Sequence, residues 1–252
     1  MPKPESDNLL FRYPWLYERI YPDFAAGTAE MCLHVFERFG LKSGDVLDVG
    51  CSTGRILATL AENGYGCVGI DLSEQMAEYA RSKFPHLDIR TDDMHTFDLG
   101  RRFDAVLCLG STFTYNLDND DVHAVLANFR RHLRDGGLLI LDILNASRFL
   151  GSEEFREKVE IRVDEGDFHA TAHSRHDLDR RRQCLRRVRT WHIRGEAHPV
   201  VDDAEYRLFF PLELECYLSC AGFSVFGMWD NRELNDSELT DRRLFIAARA
   251  LE

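Results

Sequence analysis

The chain has 252 residues, 44% hydrophobic and 29% charged, with a formal net charge of −12, and its length suits one α/β domain carrying an insertion. The acidic balance opposes tracking of a phosphate backbone, so nucleic acid is not an expected partner; no apolar run approaches the roughly 18 residues that span a bilayer, so no membrane partner is expected either. The odd set of seven cysteines includes Cys67, Cys108 and Cys184 in strand-like segments, which points to reduced thiols, and the polar start from Met1 to Asn8 has no apolar signal core, which points to a cytoplasmic location.

The first forty residues hold Tyr13, Trp15, Tyr17 and Tyr21 ahead of an amphipathic helix expected from about Phe24 to Phe39. Val46 to Val49 reads as a first strand, followed by a helix from about Gly54 to Asn63 with Ile56, Leu57, Leu60 and Ala61 at helical spacing. Cys67 to Ile70 is the second strand. Ser73 offers an N-cap to a helix with Met76, Ala77 and Ala80 on one face. Leu87 to Arg90 and Phe103 to Leu107 are the third and fourth strands. The helix from Asn119 to Leu133 carries Val122, Val125, Leu126 and Phe129 on one stripe, ends near Asp135, Gly136 and Gly137, and feeds a fifth strand from Leu138 to Leu144. Strands alternating with helices in this way build a doubly wound parallel sheet covered on both faces.

After Asn145 the pattern turns β-rich: Val159 to Val163, His169 to His176 and Leu185 to Ile193, broken at Glu165 to Asp167 and at Asp177 to Arg182, read as an antiparallel insertion. The basic stretch Arg180 to Arg189 is expected to be the turn and solvent face of a hairpin. His169, His173 and His176 are expected as surface or strand residues, since alternation places two of them on different faces. Pro211 starts a helix through Ala221 that Gly222 closes. Phe223 to Trp229 and Arg243 to Arg249 are the last two strands, joined by a polar connection from Asp230 to Asp241.

The segment LDVGCSTGR, Leu47 to Arg55, follows a strand and opens a helix, so its glycines permit a tight turn and close approach of a ligand to the backbone. A pyrophosphate-binding dinucleotide fingerprint requires G-x-G-x-x-G. Here the spacing is G-x-x-x-G, and Asp48 beside the turn repels a pyrophosphate while favouring an ammonium group. Asp71 ends the next strand about twenty residues on, where a carboxylate accepts from both hydroxyls of a ribose. Thr91, Asp92, Asp93 and Met94 follow the third strand, where a carboxylate can meet an exocyclic adenine amine.

These residues resemble the class I S-adenosylmethionine-dependent methyltransferases from about Leu41 to Leu144, and more weakly beyond. LDVGCSTGR is similar to the first family motif, GIDLSEQMAEYAR (Gly69 to Arg81) to the second, DDMHTFDL (Asp92 to Leu99) to the third, and FDAVLCLGSTFTY (Phe103 to Tyr115) and LRDGGLLILDI (Leu133 to Ile143) to the fourth and fifth. Ser52 stands where many members have glycine. The resemblance implies a Rossmann-like, mostly parallel seven-stranded sheet with the antiparallel β insertion after the fifth strand, and S-adenosylmethionine as cofactor. It implies that Gly50, Cys51, Gly54 and Arg55 line the methionyl and ribosyl portion above Asp48, that Asp71 holds the ribose, and that Leu72 and Met76 flank the adenine; these last two are equally readable as helix core. Asp92, Asp93 and Met94 are assigned to the adenine edge and Leu109 to a backbone contact.

The stretch YPWLYERIY, Tyr13 to Tyr21, is similar to the N-terminal segment of amino-sugar and glycine N-methyltransferases that folds over the cofactor, which assigns Tyr21 to the cofactor. The expected organisation is a helical lid over 1–40, a cofactor-binding core over 41–150 and 211–252, and an insertion over 151–210 covering the acceptor. Methyl transfer from a sulfonium needs alignment and water exclusion more than a nucleophile or metal, and no metal is expected. Tyr115, just beyond the fourth strand where open α/β sheets bind ligands, is the catalytic candidate, and it reads equally as a tyrosine packing the sheet rim. The expected activity is methylation of a small-molecule amine or hydroxyl by a monomer or homodimer; a non-catalytic S-adenosylmethionine-binding module is the alternative.

Overall fold

The computed structural model of the chain describes residues 8–151 and 159–252. The opening residues that bear on a leader sequence, and the start of the expected insertion, lie outside them. Two short helices, α1 (Leu9–Arg12) and α2 (Pro14–Ile20), precede the longer α3 (Phe24–Arg38). Then follow β1 (Asp45–Val49), α4 (Arg55–Glu62), β2 (Gly66–Asp71), α5 (Glu74–Lys83), β3 (Asp88–Thr91), β4 (Phe103–Cys108), a 3-10 turn (Thr112–Tyr115), α6 (Asn119–His132) and β5 (Leu133–Leu144). A short α7 (Ala146–Leu150) leads to β6 (Val159–Glu165), β7 (Phe168–Asp179), β8 (Cys184–Ile193) and β9 (Val200–Arg207), and the chain returns through α8 (Pro211–Cys220), β10 (Phe223–Trp229) and β11 (Arg243–Ala250).

The seven-stranded sheet runs β10-β11-β5-β4-β1-β2-β3. β1 to β5 are parallel to one another, and β11 is antiparallel to both β5 and β10. Strand order reverses between β1 and β4, and the crevice outside their carboxyl ends is where such sheets take ligands. Period-two alternation divides the core: Leu47 and Val49 join Val122, Val125, Leu126 and Phe129 of α6 and Leu214 and Leu218 of α8 on one face. Val46, Ala105, Leu107 and Ile140 join Cys32, Val35 and Phe36 of α3 on the other. Asp48 and Asp142 share the parity of Val46 and Ile140, so both carboxylates point to the α3 side, and both act on the buried Cys32 thiol.

β6 to β9 form a second, four-stranded antiparallel sheet. Its fourth strand, over Val200 to Arg207, has no counterpart among the sequence expectations, because polar Asp202 is the buried residue and Val201 the exposed one. The fifth strand also begins earlier than expected. α6 stops at His132 and pairing resumes at once, with Leu133 opposite Phe103 and Leu138 opposite Ala105; Asp135, Gly136 and Gly137 are a bulge within the strand, Gly136 taking φ +75°. Leu9, Leu10 and Leu16 pack on Val163, Ala170, Ala172 and Trp191, and Glu18 accepts from Tyr79 and Lys83, so α1 and α2 link the small sheet to α5.

Candidate active site

Successive strand tips supply the site. Gly50 and Cys51 both donate their N–H groups to the Ile70 carbonyl, at 2.8 and 3.0 Å, which pins the β1 turn beside the end of β2. Gly50 takes φ +81°, and a Cβ there would fall 2.5 Å from Thr112 Cγ2 after β4, so no larger residue fits. Ser52 takes φ +52°, a left-handed conformation that costs a residue with a Cβ roughly 1 kcal/mol. That is why glycine suits this position, and it is the departure visible in the sequence.

Asp71 stabilises the strained turn: its Oδ2 accepts from Ser52 N at 2.7 Å and its Oδ1 from Ser73 N at 2.9 Å. Burial nonetheless raises its pKa, against those two donors. Asp48 is 1% exposed and its Oδ1 has no hydrogen-bond partner among the described residues. Burial, and after it the charge of Asp71, pushes its carboxyl up to about 7. Asp142 lies deeper, 0% exposed. Its oxygens accept from Arg243 Nε at 2.7 Å, from Arg243 Nη2 and from Gly110 N at 3.1 Å. Of these three carboxylates Asp142 alone is paired with a cation among the described residues, the half-buried Arg243, and the open oxygen of Asp48 calls for a further positive group. An adenosyl sulfonium with its α-ammonium fits that requirement; a dinucleotide pyrophosphate does not.

Leu72 is 43% exposed ahead of α5, whereas Met76 is 1% exposed within it. Met76 Sδ faces the turn, accepting from Ser52 Oγ at 3.7 Å. Asp93 is turned to local use, accepting from His95 N at 2.9 Å and lying 2.6 Å from His95 Nδ1. Asp92 stays at the β2 edge, its N–H on the Asp71 carbonyl at 3.1 Å and its Oδ1 accepting from Asp93 N at 2.9 Å. Met94 ties this tip to the next, its sulfur accepting from Asn116 Nδ2 at 3.5 Å. Leu109 is buried, and its carbonyl is consumed by Thr112, whose N and Oγ1 donate at 3.1 and 2.7 Å. Tyr115 closes the 3-10 turn with its ring centroid 5.1 Å from that of Tyr206 on β9.

Gly54, at φ +75°, precedes α4, and Arg55 begins it. Arg55 turns away from the cradle: it donates to the Tyr21 and Pro22 carbonyls at 3.0 and 3.1 Å and lies 3.5 Å from Glu18. It thereby fastens the segment after α2 over the β1 tip. Tyr17 stacks 5.2 Å from Tyr21; burial and Tyr21 push its phenol up to about 12, and Arg55, Arg243 and Asp71 all act on it.

Several residues around this site escaped the sequence reading. Asp142 carried a signal, an acid inside the apolar run LLILDIL. Arg187 and Arg189 carried none, because they sit in the basic stretch expected to face solvent. The structure corrects that expectation in part: Arg180, Arg181, Arg182 and Arg186 are exposed, while Arg187 is half-buried and Arg189 is 4% exposed on the opposite face of β8. His169 and His173 lie at the outer parity of β7 or its edge and His176 at the inner one.

Residues 46–137 match the methyltransferase domain family. Over 120 residues the chain is 32% identical to dTDP-3-amino-3,4,6-trideoxy-alpha-D-glucopyranose N,N-dimethyltransferase of Streptomyces venezuelae, covering 48% of this chain and 50% of that one. Over 124 residues it is 34% identical to glycine N-methyltransferase of Mus musculus, covering 42% of each. The chain spans about half the length of these curated relatives or less. The sugar N-methyltransferase KedS8 from Streptoalloteichus sp ATCC 53650 superposes with a TM-score of 0.80, covering 94% of this chain and 92% of that one at 24% identity, a likeness of fold. The matches bear out the methyltransferase resemblance and the Rossmann-like architecture with its antiparallel strands after the fifth.

Proposed function

We propose that this chain is an S-adenosylmethionine-dependent methyltransferase that methylates an amine of a small molecule. The observation that carries the reading is the buried, open oxygen of Asp48 beneath a glycine turn that Asp71 holds from the neighbouring strand. In this reading Asp48 receives the ammonium of the methionyl part. Asp71, after serving Ser52 and Ser73, keeps a lone pair on each oxygen for the ribose hydroxyls. Leu72 lies against the adenine, and Asp92 is better disposed than Asp93 to meet its amine, since His95 occupies Asp93.

When bound, the cofactor supplies a methyl group on a leaving group that is already activated. The chain's own residues then have to align an acceptor and exclude water. The N-terminal segment over 1–40 acts as the lid, bolted by Arg55, and the β-rich insertion covers the acceptor. Tyr115 stands between them to orient the acceptor or take its proton. The amine is favoured by the sugar N-methyltransferase and glycine N-methyltransferase relatives.

Calorimetry with S-adenosylhomocysteine tests the cofactor reading, and saturable binding in the micromolar range is expected; no binding at millimolar ligand overturns it. Release of S-adenosylhomocysteine in the presence of pooled small amines tests transfer. Binding without any turnover across amine and hydroxyl acceptors would leave a non-catalytic binding module as the better description.

A further inference from the structure

A sheet that packs over a crevice normally turns apolar residues inward, yet the inner face of the β6–β9 sheet is polar at its centre. Register sets His176 opposite Arg187 and Ser174 opposite Arg189, and on the other side Arg189 opposite Asp202. Arg189 and Asp202 are 4% and 1% exposed. Arg189 Nε donates to Ser174 Oγ at 3.2 Å, and Trp191 Nε1 donates to Asp202 Oδ2 at 2.9 Å. The remaining buried atoms are not satisfied: His176 Nδ1, Arg187 Nε, Arg189 Nη1 and Asp202 Oδ1 meet no hydrogen-bond partner among the described residues.

Arg187 occupies the junction of the three parts that enclose the crevice. Its guanidinium lies 5.3 Å from the centre of the Tyr206 ring, which in turn lies 5.1 Å from the Tyr115 ring at a tilt of 48°. Through Tyr206 it joins β9 to the tip of β4, where Tyr115 lies, and its charge also acts on Asp202 and Tyr21. Buried N–H groups without acceptors cost free energy, and charged ones cost more. Among the described residues two permanent cations, Arg187 and Arg189, face a single carboxylate, Asp202. His176 cannot balance them, since an imidazole carries no negative charge. An arrangement with unsatisfied donors and a surplus positive charge is complementary to an anion.

We propose that Arg187 anchors an anionic oxygen group, a carboxylate or a phosphate, carried by the acceptor molecule, with Arg189 reinforcing the field from the next inward position of β8. This rests on the methyltransferase reading and narrows its substrate class to amines that also bear such a group. The phenols of Tyr115 and Tyr206 then flank the link between the anchored anion and the amine presented to the cofactor. Because a guanidinium presents a planar fork to an oxyanion, lysine is not an equivalent anchor.

The test uses the full chain saturated with S-adenosylhomocysteine. Its arginine Nε–H resonances are followed while sodium acetate or inorganic phosphate is added at ionic strength held constant with chloride. The Arg187 resonance, identified by its loss in Arg187→Lys, is expected to move saturably with one of the two anions, and the anion that saturates it names the group. In Arg187→Lys the half-saturation concentration, read from neighbouring backbone amides, rises about tenfold, while affinity for S-adenosylhomocysteine is unchanged. A resonance that ignores both anions, or that follows chloride equally, overturns the proposal while leaving the methyltransferase reading intact. Failure of the unaltered chain to bind S-adenosylhomocysteine removes that reading and this one together.

Discussion

Asp71 and Asp48 sit one strand apart and illustrate how differently two carboxylates behave when one is satisfied and the other is not. Asp71 already holds two backbone N–H groups, so Asp71→Ala removes the tether of the Ser52 turn together with the proposed ribose acceptor. S-adenosylhomocysteine binding measured by calorimetry is expected to weaken by about 1 to 3 kcal/mol, and unchanged affinity would refute the ribose role. Asp48 has its pKa raised from 3.8 to about 7, first by burial and then by Asp71. A carboxyl raised in the folded chain binds its proton there more tightly than in the unfolded one. Its contribution to stability is complete below about pH 4, declines as pH rises, and is lost by about pH 7. In the ligand-free chain Asp48→Asn is therefore expected to match its parent near pH 4 and to exceed it by up to about 4 kcal/mol near pH 8. Urea melts at those two pH values decide the matter: equal differences at both would show that Asp48 does not titrate as described.

Among the elements, those that obey local rules were legible in advance. Ser73 capping α5, with its hydroxyl accepting from Met76 N at 3.3 Å, and the apolar stripe of α6 are written in residue spacing. So are the strand tips that bear Asp48 and Asp71, because an acid at the end of an apolar strand stands out. β9 did not, since Asp202 occupies the inward position and reverses the usual polarity, and for the same reason Arg187 was hidden within a run of surface-like arginines. Nor could spacing reveal that Arg55 reaches Tyr21 and Pro22, a contact that links α4 to a segment thirty-odd residues earlier. That contact makes a prediction of its own. Arg55→Met, which keeps the length and removes the donors, is expected to speed hydrogen exchange of the amides over 17–23 by roughly tenfold to a hundredfold. The amides of β1 and β4 are expected to stay as protected as before; uniform loss of protection would mean that Arg55 supports the whole fold.

At the level of the whole molecule the small sheet is covered by α1 and α2, whose Leu9, Leu10 and Leu16 pack on Trp191 and its neighbours. Trp191 is 0% exposed. A chain that starts at Phe24 loses that cover and also loses Trp15, leaving Trp191 and Trp229 as its fluorophores. Its emission is expected to shift to longer wavelength while its helical circular dichroism falls only by the missing segment, and its affinity for S-adenosylhomocysteine is expected to fall about tenfold or more as the proposed lid is lost. An unshifted emission maximum would show that the small sheet buries Trp191 without help.

The placement of β11 between β5 and β10 has a consequence for how the protein is made. Synthesis is vectorial, yet the strand that fills the gap beside β5 leaves the ribosome after every other strand described. Until it arrives, the flank of β5 offers unpaired amides and carbonyls to any passing extended peptide, the circumstance in which nascent chains mispair. The small sheet of β6 to β9 has time to collapse first, so it and the five parallel strands can each mature before the last strand zips the larger sheet shut.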